Sequence, residues 1–402
     1  MKDIFRIIKR EWGFLKGRRL YLAALIVFPL ADCIFLGGIY ASGMLEKMPA
    51  AVIDNDNSKL SRTIVRYFNA SPDIDIRYRL SNVREMKELF ERDKISLGIY
   101  IPKGTEKNIK RQKPQTIVVF TNAANYITGN ITSIDAATII GTVGAGIKYK
   151  TLAKRGFSSN QAKTLIRPMQ NDSARLFNPA LNYNFYLTPG LWLAVLHQLL
   201  ILAGTLTLSG EYDFRTVRRM KKIAGNSVFK ALLGKTLMYV LIAMLHFEIL
   251  YRAIFPLFDI PIVSTVLAAE ILSLFVSLAG VSLGLMLAAI FKNRLDSLKA
   301  CLLISAPAFL FSGYTWPVAQ MPKPLAYFVQ LIPLTPFIEA FRKIYQQDLG
   351  IEFTYPFVIQ LAVLAVIFFG VSALLVNNRL NDLKDFKVLK DLNKQKSARI
   401  RD

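Results

Sequence analysis

The sequence predicts a multi-pass membrane protein: an all-α transmembrane domain of six helices with an N-terminal amphipathic helix, plus a small α/β extracytoplasmic domain. Three features of the 402 residues predict it. Apolar residues make up 53% of the chain and gather into blocks; roughly 20 such residues cross a bilayer as a helix. Lys and Arg crowd alternate short loops between the blocks. One long polar stretch, 42–186, carries the strand and helix signals of a folded domain.

The opening stretch, "MKDIFRIIKREWGFLKGRR" (1–19), interleaves basic and apolar residues. Ile4, Phe5, Ile8, Trp12 and Leu15 fall near helical spacing, with Lys2, Arg6, Lys9, Arg10 and Lys16 elsewhere. That pattern predicts an amphipathic helix on an anionic membrane lipid surface rather than a cleavable signal. A plain basic flank to the first span is the alternative. The first span is 20–41.

Within 42–186, "PAAVIDND", "LGIYIP" and "TIVVF" read as strands. Two helices lie among them. "NSKLSRTIVRYF" begins on Asn57 and Ser58 as caps and sets Leu60, Ile64 and Phe68 on one face. "NVREMKELFERD" begins on Asn82, with Glu85 three residues on and Val83, Met86 and Phe90 on one stripe. From 127 to 166 the chain reads as longer helix returning to the membrane.

Five further spans occupy 187–376, at 187–208, 231–255, 263–291, 300–314 and 355–376. The N-terminal flank, the 210–230 loop, the 292–299 loop with Lys292, Arg294 and Lys299, and the tail 377–402 are basic. The loop "YRAIFPLFDIPI" holds only Arg252. Both termini are therefore expected on the cytoplasmic side and 42–186 outside. Leu380, Leu383, Phe386 and Leu389 predict that the tail continues the last span as a surface helix.

Composition also excludes. The net charge of +23 matches basic cytoplasmic loops, and no basic stripe is interleaved with aromatics as a nucleic-acid groove requires. Cys33 and Cys301 fall in apolar blocks, and the two histidines lie far from both, so neither a disulfide framework nor a metal cluster is expected.

The segment "SGEYDFRTVRRMKKIAGNSVFKALLGKTL" ends in Gly-Lys-Thr, the tail of a phosphate loop. Such a loop needs a glycine where Phe229 stands, and a following helix packed on a parallel sheet. ATP binding by this chain is not expected; Lys235 is placed where the third span meets the membrane. The basic run Arg215, Arg218, Arg219, Lys221 and Lys222 is interspersed with Phe214, Val217 and Ile223, and Gly225-Asn226 ends it. A positive-inside loop explains the charge; the patterning adds a short cytoplasmic helix able to dock in a partner's cleft.

In order along the chain, "PAAVIDNDNSKLSR", "FNPALNYNFYLTPGLW", "GEYDFRTVRRMKKIAGNSVFKALLGK" and "FSGYTWPVAQMPKPLAYFVQLIPLTPFIEAFRKI" resemble segments of the permease subunits of type-2 ABC exporters, in the subgroup with a large external domain after the first span. The third departs from the family's usual coupling segment: Phe214-Arg215-Thr216 replaces the Gly-Thr context, Arg218 stands where Glu is common, and Ala224-Gly225 replaces the Pro region. The resemblance implies a dimer of this chain with itself or a related permease, and two separate ATP-binding cassette ATPase subunits, which carry the ATP and Mg. They would dock on the coupling segment through Glu211, Arg215, Arg218, Arg219 and Lys222. The N-terminal helix would be the family's elbow helix. No catalytic residue and no cofactor are expected in this chain. A periplasmic adaptor protein is a further partner the external domain suggests by the same resemblance.

Ionisable residues within spans are costly and point to function unless paired. Asp32 lies mid-way in the first span, His246 and Glu248 in the third, Glu270 in the fourth. Asp32 and Glu270 are assigned to the transport path or dimer seam; pairing inside the bundle, or a position nearer the interface, is the plain alternative. Pro317, Pro322, Pro324, Pro333 and Pro336 cannot share one straight helix. A re-entrant hairpin at 317–345, with Pro317, Pro333 and Pro336 at the outer exit, fits them; an ordinary external loop is the alternative. Localisation in a bacterial inner membrane follows from the resemblance. Two other functions compete. A scaffold or receptor binding an envelope protein has no need of a coupling segment. A secondary transporter using Asp32 and Glu270 as proton sites should show paired interrupted spans.

Overall fold

Helix α1 (Lys2–Lys16) runs into helix α2 (Arg19–Tyr40) through a short turn at Gly17 and Arg18. The inward row of α1 is Ile7, Glu11 and Leu15, one turn apart, while Phe5 and Trp12 of the expected apolar face are exposed. The structure, a computed structural model, describes residues 2–43, 45–166, 176–178, 182–261, 266–291 and 293–399, with side chains as far as 381. The chain folds as two units, Met1–Gly43 with Arg175–Asp402, and Met44–Ala174.

The 44–174 unit is built on a four-stranded sheet in the order β2-β1-β3-β4. Strand β1 (Met48–Asp54) pairs in parallel with β2 (Ile74–Arg79) and β3 (Leu97–Ile101), with a bulge at Ala50/Ala51 on the β2 side. Strand β4 (Val118–Thr121) closes the edge antiparallel to β3. Alternation along β1 feeds two cores: Ala50 and Val52 pack with Ile64, Phe68 and Ala136 on one face, Ala51 and Ile53 with Met86 and Ile95 on the other.

Helix α3 (Lys59–Asn69) starts on a capping box, with Ser58 Oγ accepting from Ser61 N at 3.0 Å and Ser61 Oγ accepting from Ser58 N at 2.9 Å. Helix α4 (Val83–Glu91) starts on Asn82, whose Oδ1 accepts from Glu85 N at 2.9 Å. Met86 is its buried residue, whereas Val83 of the expected stripe is exposed. Helix α5 (Thr105–Lys110) follows β3. The helix expected over 127–166 is two: α6 (Tyr126–Lys154) and α7 (Ser159–Ile166), parted at Gly156, whose φ of +85° no helix accommodates.

The second unit resumes with α8 (Tyr183–Asp213), capped by Asn182; Pro179, Ala180 and Leu181 of the expected Asn-Pro motif lie outside the described residues. Then come α9 (Val217–Ile223) and α10 (Val228–Ile249), which passes through a π-turn at Leu250–Ile254 into α11 (Phe255–Leu257). Helix α12 (Val266–Ile290) is central: 72% of its most apolar stretch is buried, against 22% for α2. Gly204 and Gly284 let α8 and α12 touch backbone to backbone; a Cβ on Gly284 would sit 2.1 Å from Ile201 O.

The span expected at 300–314 does not form as one helix. Helix α13 (Arg294–Ser305) begins earlier, because Asn293 caps it by accepting from Asp296 N at 2.7 Å, and it stops before Pro307. Helix α14 (Ala308–Phe311) adds one turn. Proline has no N–H to continue the ladder, and Gly313 at φ +85° turns the chain away. A 3₁₀ turn at Val318–Gln320, α15 (Lys323–Val329) and α16 (Leu334–Gln347) follow, and α15 and α16 meet at 82°. The last helix, α17 (Ile351–Arg399), has Pro356 in its second turn and runs unbroken into the tail; Leu383, Phe386 and Leu389 lie outside the residues whose side chains are described. Among the described residues five helices are long and apolar enough to cross a membrane, and the count reaches six only if the bent α15–α16 pair is one span. The remaining stretch of the sequence count of six, 300–314, is divided between α13 and α14 at Pro307.

Candidate functional site

The 210–230 segment forms a helix between two left-handed turns. Arg215 has φ +55°, and Gly225 and Asn226 have φ +65° and +62°, so α9 is a separate short rod between α8 and α10. It buries Val217 and Met220, with Ala224 beyond its end, and exposes Arg215, Arg218, Arg219 and Lys222. Ser227 restarts the helix, its Oγ accepting from Lys230 N at 3.3 Å.

Glu211 is not on that exposed face. It lies in the last turn of α8 and is buried in a charge network with α1 and α10. Lys235 Nζ donates to Glu11 Oε1 at 2.7 Å and to Thr207 Oγ1 and O, both at 3.1 Å, and pairs with Glu211 Oε1 at 2.9 Å. Arg10 grips Glu211 with two bonds of 2.6 and 3.0 Å. Thr216 Oγ1 donates to Glu211 Oε2 at 2.5 Å, and Thr207 Oγ1 to Glu11 Oε2 at 2.8 Å. The Lys235 side chain is 1% exposed and both carboxylates 5%, so a buried lysine and the half-buried Arg10, 26% exposed, balance two buried anions. Burial works against the Arg10 charge, but the Glu211 carboxylate outweighs it and raises the guanidinium pKa.

This network explains the Gly-Lys-Thr. Lys235 is inside helix α10, not in a loop before one, and it is buried rather than at a surface. Gly234 is where α1 crosses: a Cβ there would be 2.8 Å from Ile7 Cβ and 3.0 Å from Ile4 O. Asp3 adds a partly exposed pair to Lys230 at 3.2 Å. Helix α1 is thereby tied to both ends of the 210–230 segment. Sequence analysis missed Arg10, Glu11, Thr207 and Thr216; the signal for one of them was Glu11 standing in the row Ile7–Leu15 of an otherwise basic helix.

The remaining expected residues are elsewhere. Asp32 is exposed on α2, on a surface that also leaves Phe28 and Phe35 uncovered, and no ion pair reaches it among the described residues. Glu270 shares Arg252 with Glu248, at 3.1 and 2.5 Å, in a partly exposed trio. His246 Nδ1 meets Ile242 O at 2.7 Å. Pro333 and Pro336 are buried at the start of α16, where fixed φ and a missing N–H suit a first turn; Pro317 is exposed. Phe341 of α16 stacks between Tyr345 of the same helix and Tyr251, with centroids 5.8 Å apart on each side. Lys292 lies outside the described residues.

A re-aimed elbow helix, a short basic helix strapped to two apolar helices, and a sharply bent helix pair before the last span are accompanied by a match to the sequence model of the ABC-2 family transporter proteins over residues 19–374. The chain belongs to the ABC-2 transporter family. Among its relatives is the probable multidrug ABC transporter permease YbhR of Escherichia coli K12, 17% identical over 83% of this chain and 87% of that one. Another is ABC transporter G family member 20 of Dictyostelium discoideum, 24% identical over 59% of this chain. The aligned part spans only 32% of the Dictyostelium protein. The permease is therefore a multi-pass membrane transport subunit, and its Gly-Lys-Thr is a helix-packing site.

Proposed function

We propose that this permease works in an exporter whose ATP hydrolysis belongs to a separate ATP-binding cassette subunit. That subunit, with its ATP and Mg, docks from the cytoplasm on α9, where Arg215, Arg218, Arg219 and Lys222 meet an acidic cleft. The observation that carries the reading is the buried Glu11–Lys235–Glu211–Arg10 network. It makes α9, the elbow helix and the basic ends of α8 and α10 one body, so a displacement of α9 is transmitted to membrane helices rather than absorbed by a loop.

In this reading both termini are cytoplasmic, in a bacterial inner membrane, and the 44–174 unit is extracytoplasmic, available to a periplasmic adaptor. A second permease, of this chain or a related one, covers the α2 surface that holds Asp32. The bent α15–α16 pair with Pro333 and Pro336 forms the outer end of the path. Outward movement of substrate is the expected direction. Affinity purification in mild detergent with identification of every co-purifying protein tests the partnership: a stoichiometric ATP-binding cassette subunit supports it. Replacing Arg218 and Arg219 with Glu should leave the permease folded yet abolish stimulation of that ATPase. Unchanged coupling and export would refute the assignment of α9.

A further inference from the structure

Beside the charge network, a narrow cleft enters the fold between the end of α1, α2, α8 and α10. Its deep part is lined by Leu25, Leu199, Leu202, Ala203 and Leu206, with almost no polar surface. Its mouth shares Leu15, Tyr21, Leu206 and Tyr239 with the deep part and adds Arg18 and Arg294.

The two arginines are unusual. Arg18 lies over Phe14 at 4.3 Å, Phe214 at 4.9 Å and Tyr21 at 5.6 Å, and Arg294 over the same Tyr21 at 5.4 Å. Among the described residues no carboxylate forms an ion pair with either. A guanidinium whose flat face rests on rings keeps its N–H edge for an anion, and that edge matches a phosphate in two-point geometry. Two half-buried cations at the mouth of an apolar cleft, at the basic ends of the spans, complement one kind of molecule: an amphiphile with an anionic head.

We propose that this cleft is a specific site for an anionic phospholipid, its phosphate held between Arg18 and Arg294 and one acyl chain lying along Leu25, Leu199 and Leu202. Thr207 and Tyr239 line the mouth or its shared wall, and Thr207 also accepts from Lys235, so the lipid braces the elbow helix against the charge network. The site does not depend on which ATPase the permease meets.

Native mass spectrometry of the full-length permease in uncharged detergent, titrated with phosphatidylglycerol or phosphatidylcholine, tests this. The wild type should retain phosphatidylglycerol preferentially. The double variant Arg18→Gln/Arg294→Gln should retain it about tenfold less, as expected for losing charge-assisted phosphate bonds. Leu202→Trp, which fills the deep part and leaves the charges, should lose it too. Equal retention of both lipids, or undiminished phosphatidylglycerol on Arg18→Gln/Arg294→Gln, overturns the proposal. So does a Leu202→Trp permease that keeps its lipid but falls from dimer to monomer, which would make the cleft a subunit contact.

Discussion

Lys235→Met is the most informative single change. Lys235 makes four contacts of 2.7 to 3.1 Å, two of them to carboxylates, and is 1% exposed. Methionine fills similar volume but leaves Glu11 and Glu211 sharing only Arg10, which reaches Glu11 at 3.5 Å. An uncompensated buried charge of this kind costs about 3–5 kcal/mol. Glu11→Gln should cost less, about 1–3 kcal/mol, since the amide still accepts from Thr207 and Lys235 keeps Glu211. The double variant restores one-to-one balance between Arg10 and Glu211, so its cost should fall short of the sum by about 2 kcal/mol. Reversible unfolding in mixed micelles, titrated with a denaturing detergent, measures all three. Additive costs, or a Lys235→Met cost below about 1 kcal/mol, would refute the network as the clamp on α1. A phosphate-binding lysine would behave differently, sparing stability and abolishing ATP affinity.

Three further outcomes are expected. Asp135 on α6 is pushed up to about 6, by burial first and by the neighbouring Asp73 carboxyl second. Its folded form therefore favours the proton, and the stability it contributes is present below about pH 4 and lost as pH rises through 6. Hydrogen exchange of α6 in the whole protein, corrected for intrinsic rates, should weaken in protection across that window in the wild type and not in Asp135→Asn; the same trend in both would dismiss the pair. Gly284→Ala forces α8 from α12, since its Cβ would lie 2.1 Å from Ile201 O, and should cost about 1–3 kcal/mol or more; a neutral result in the same unfolding assay would mean that the helices do not pack this closely. With Cys33 and Cys301 replaced by Ser, Asp32→Cys should form a disulfide-linked dimer under mild oxidation, and its absence would argue against α2 as the seam.

Much of this protein was legible because some signals are local. Ser58 and Asn82 cap their helices through bonds spanning three residues, and the alternation of β1 sorts its side chains between two cores whatever packs on them. The proline cluster likewise announced a break, and Pro333 and Pro336 open a helix bent 82° from its neighbour. The break within the 300–314 stretch was not foreseen, because hydropathy counts apolar residues without asking whether the ladder can continue past Pro307.

The charge network was not legible, since Arg10 and Glu11 find their partners on α8 and α10 196 to 224 residues away and no local pattern links them. Hydropathy and periodicity determined that this chain is a multi-pass membrane protein with a basic, helix-patterned segment at 210–230, because those quantities depend on near neighbours alone, and the order of its motifs pointed to the family. Only the tertiary structure decided that Glu211 faces inward while Arg219 faces out, that Gly234 admits α1, and that Lys235 is a buried ion-pair partner. A charge acquires its meaning from what desolvates and pairs it, and that is fixed only when distant helices meet.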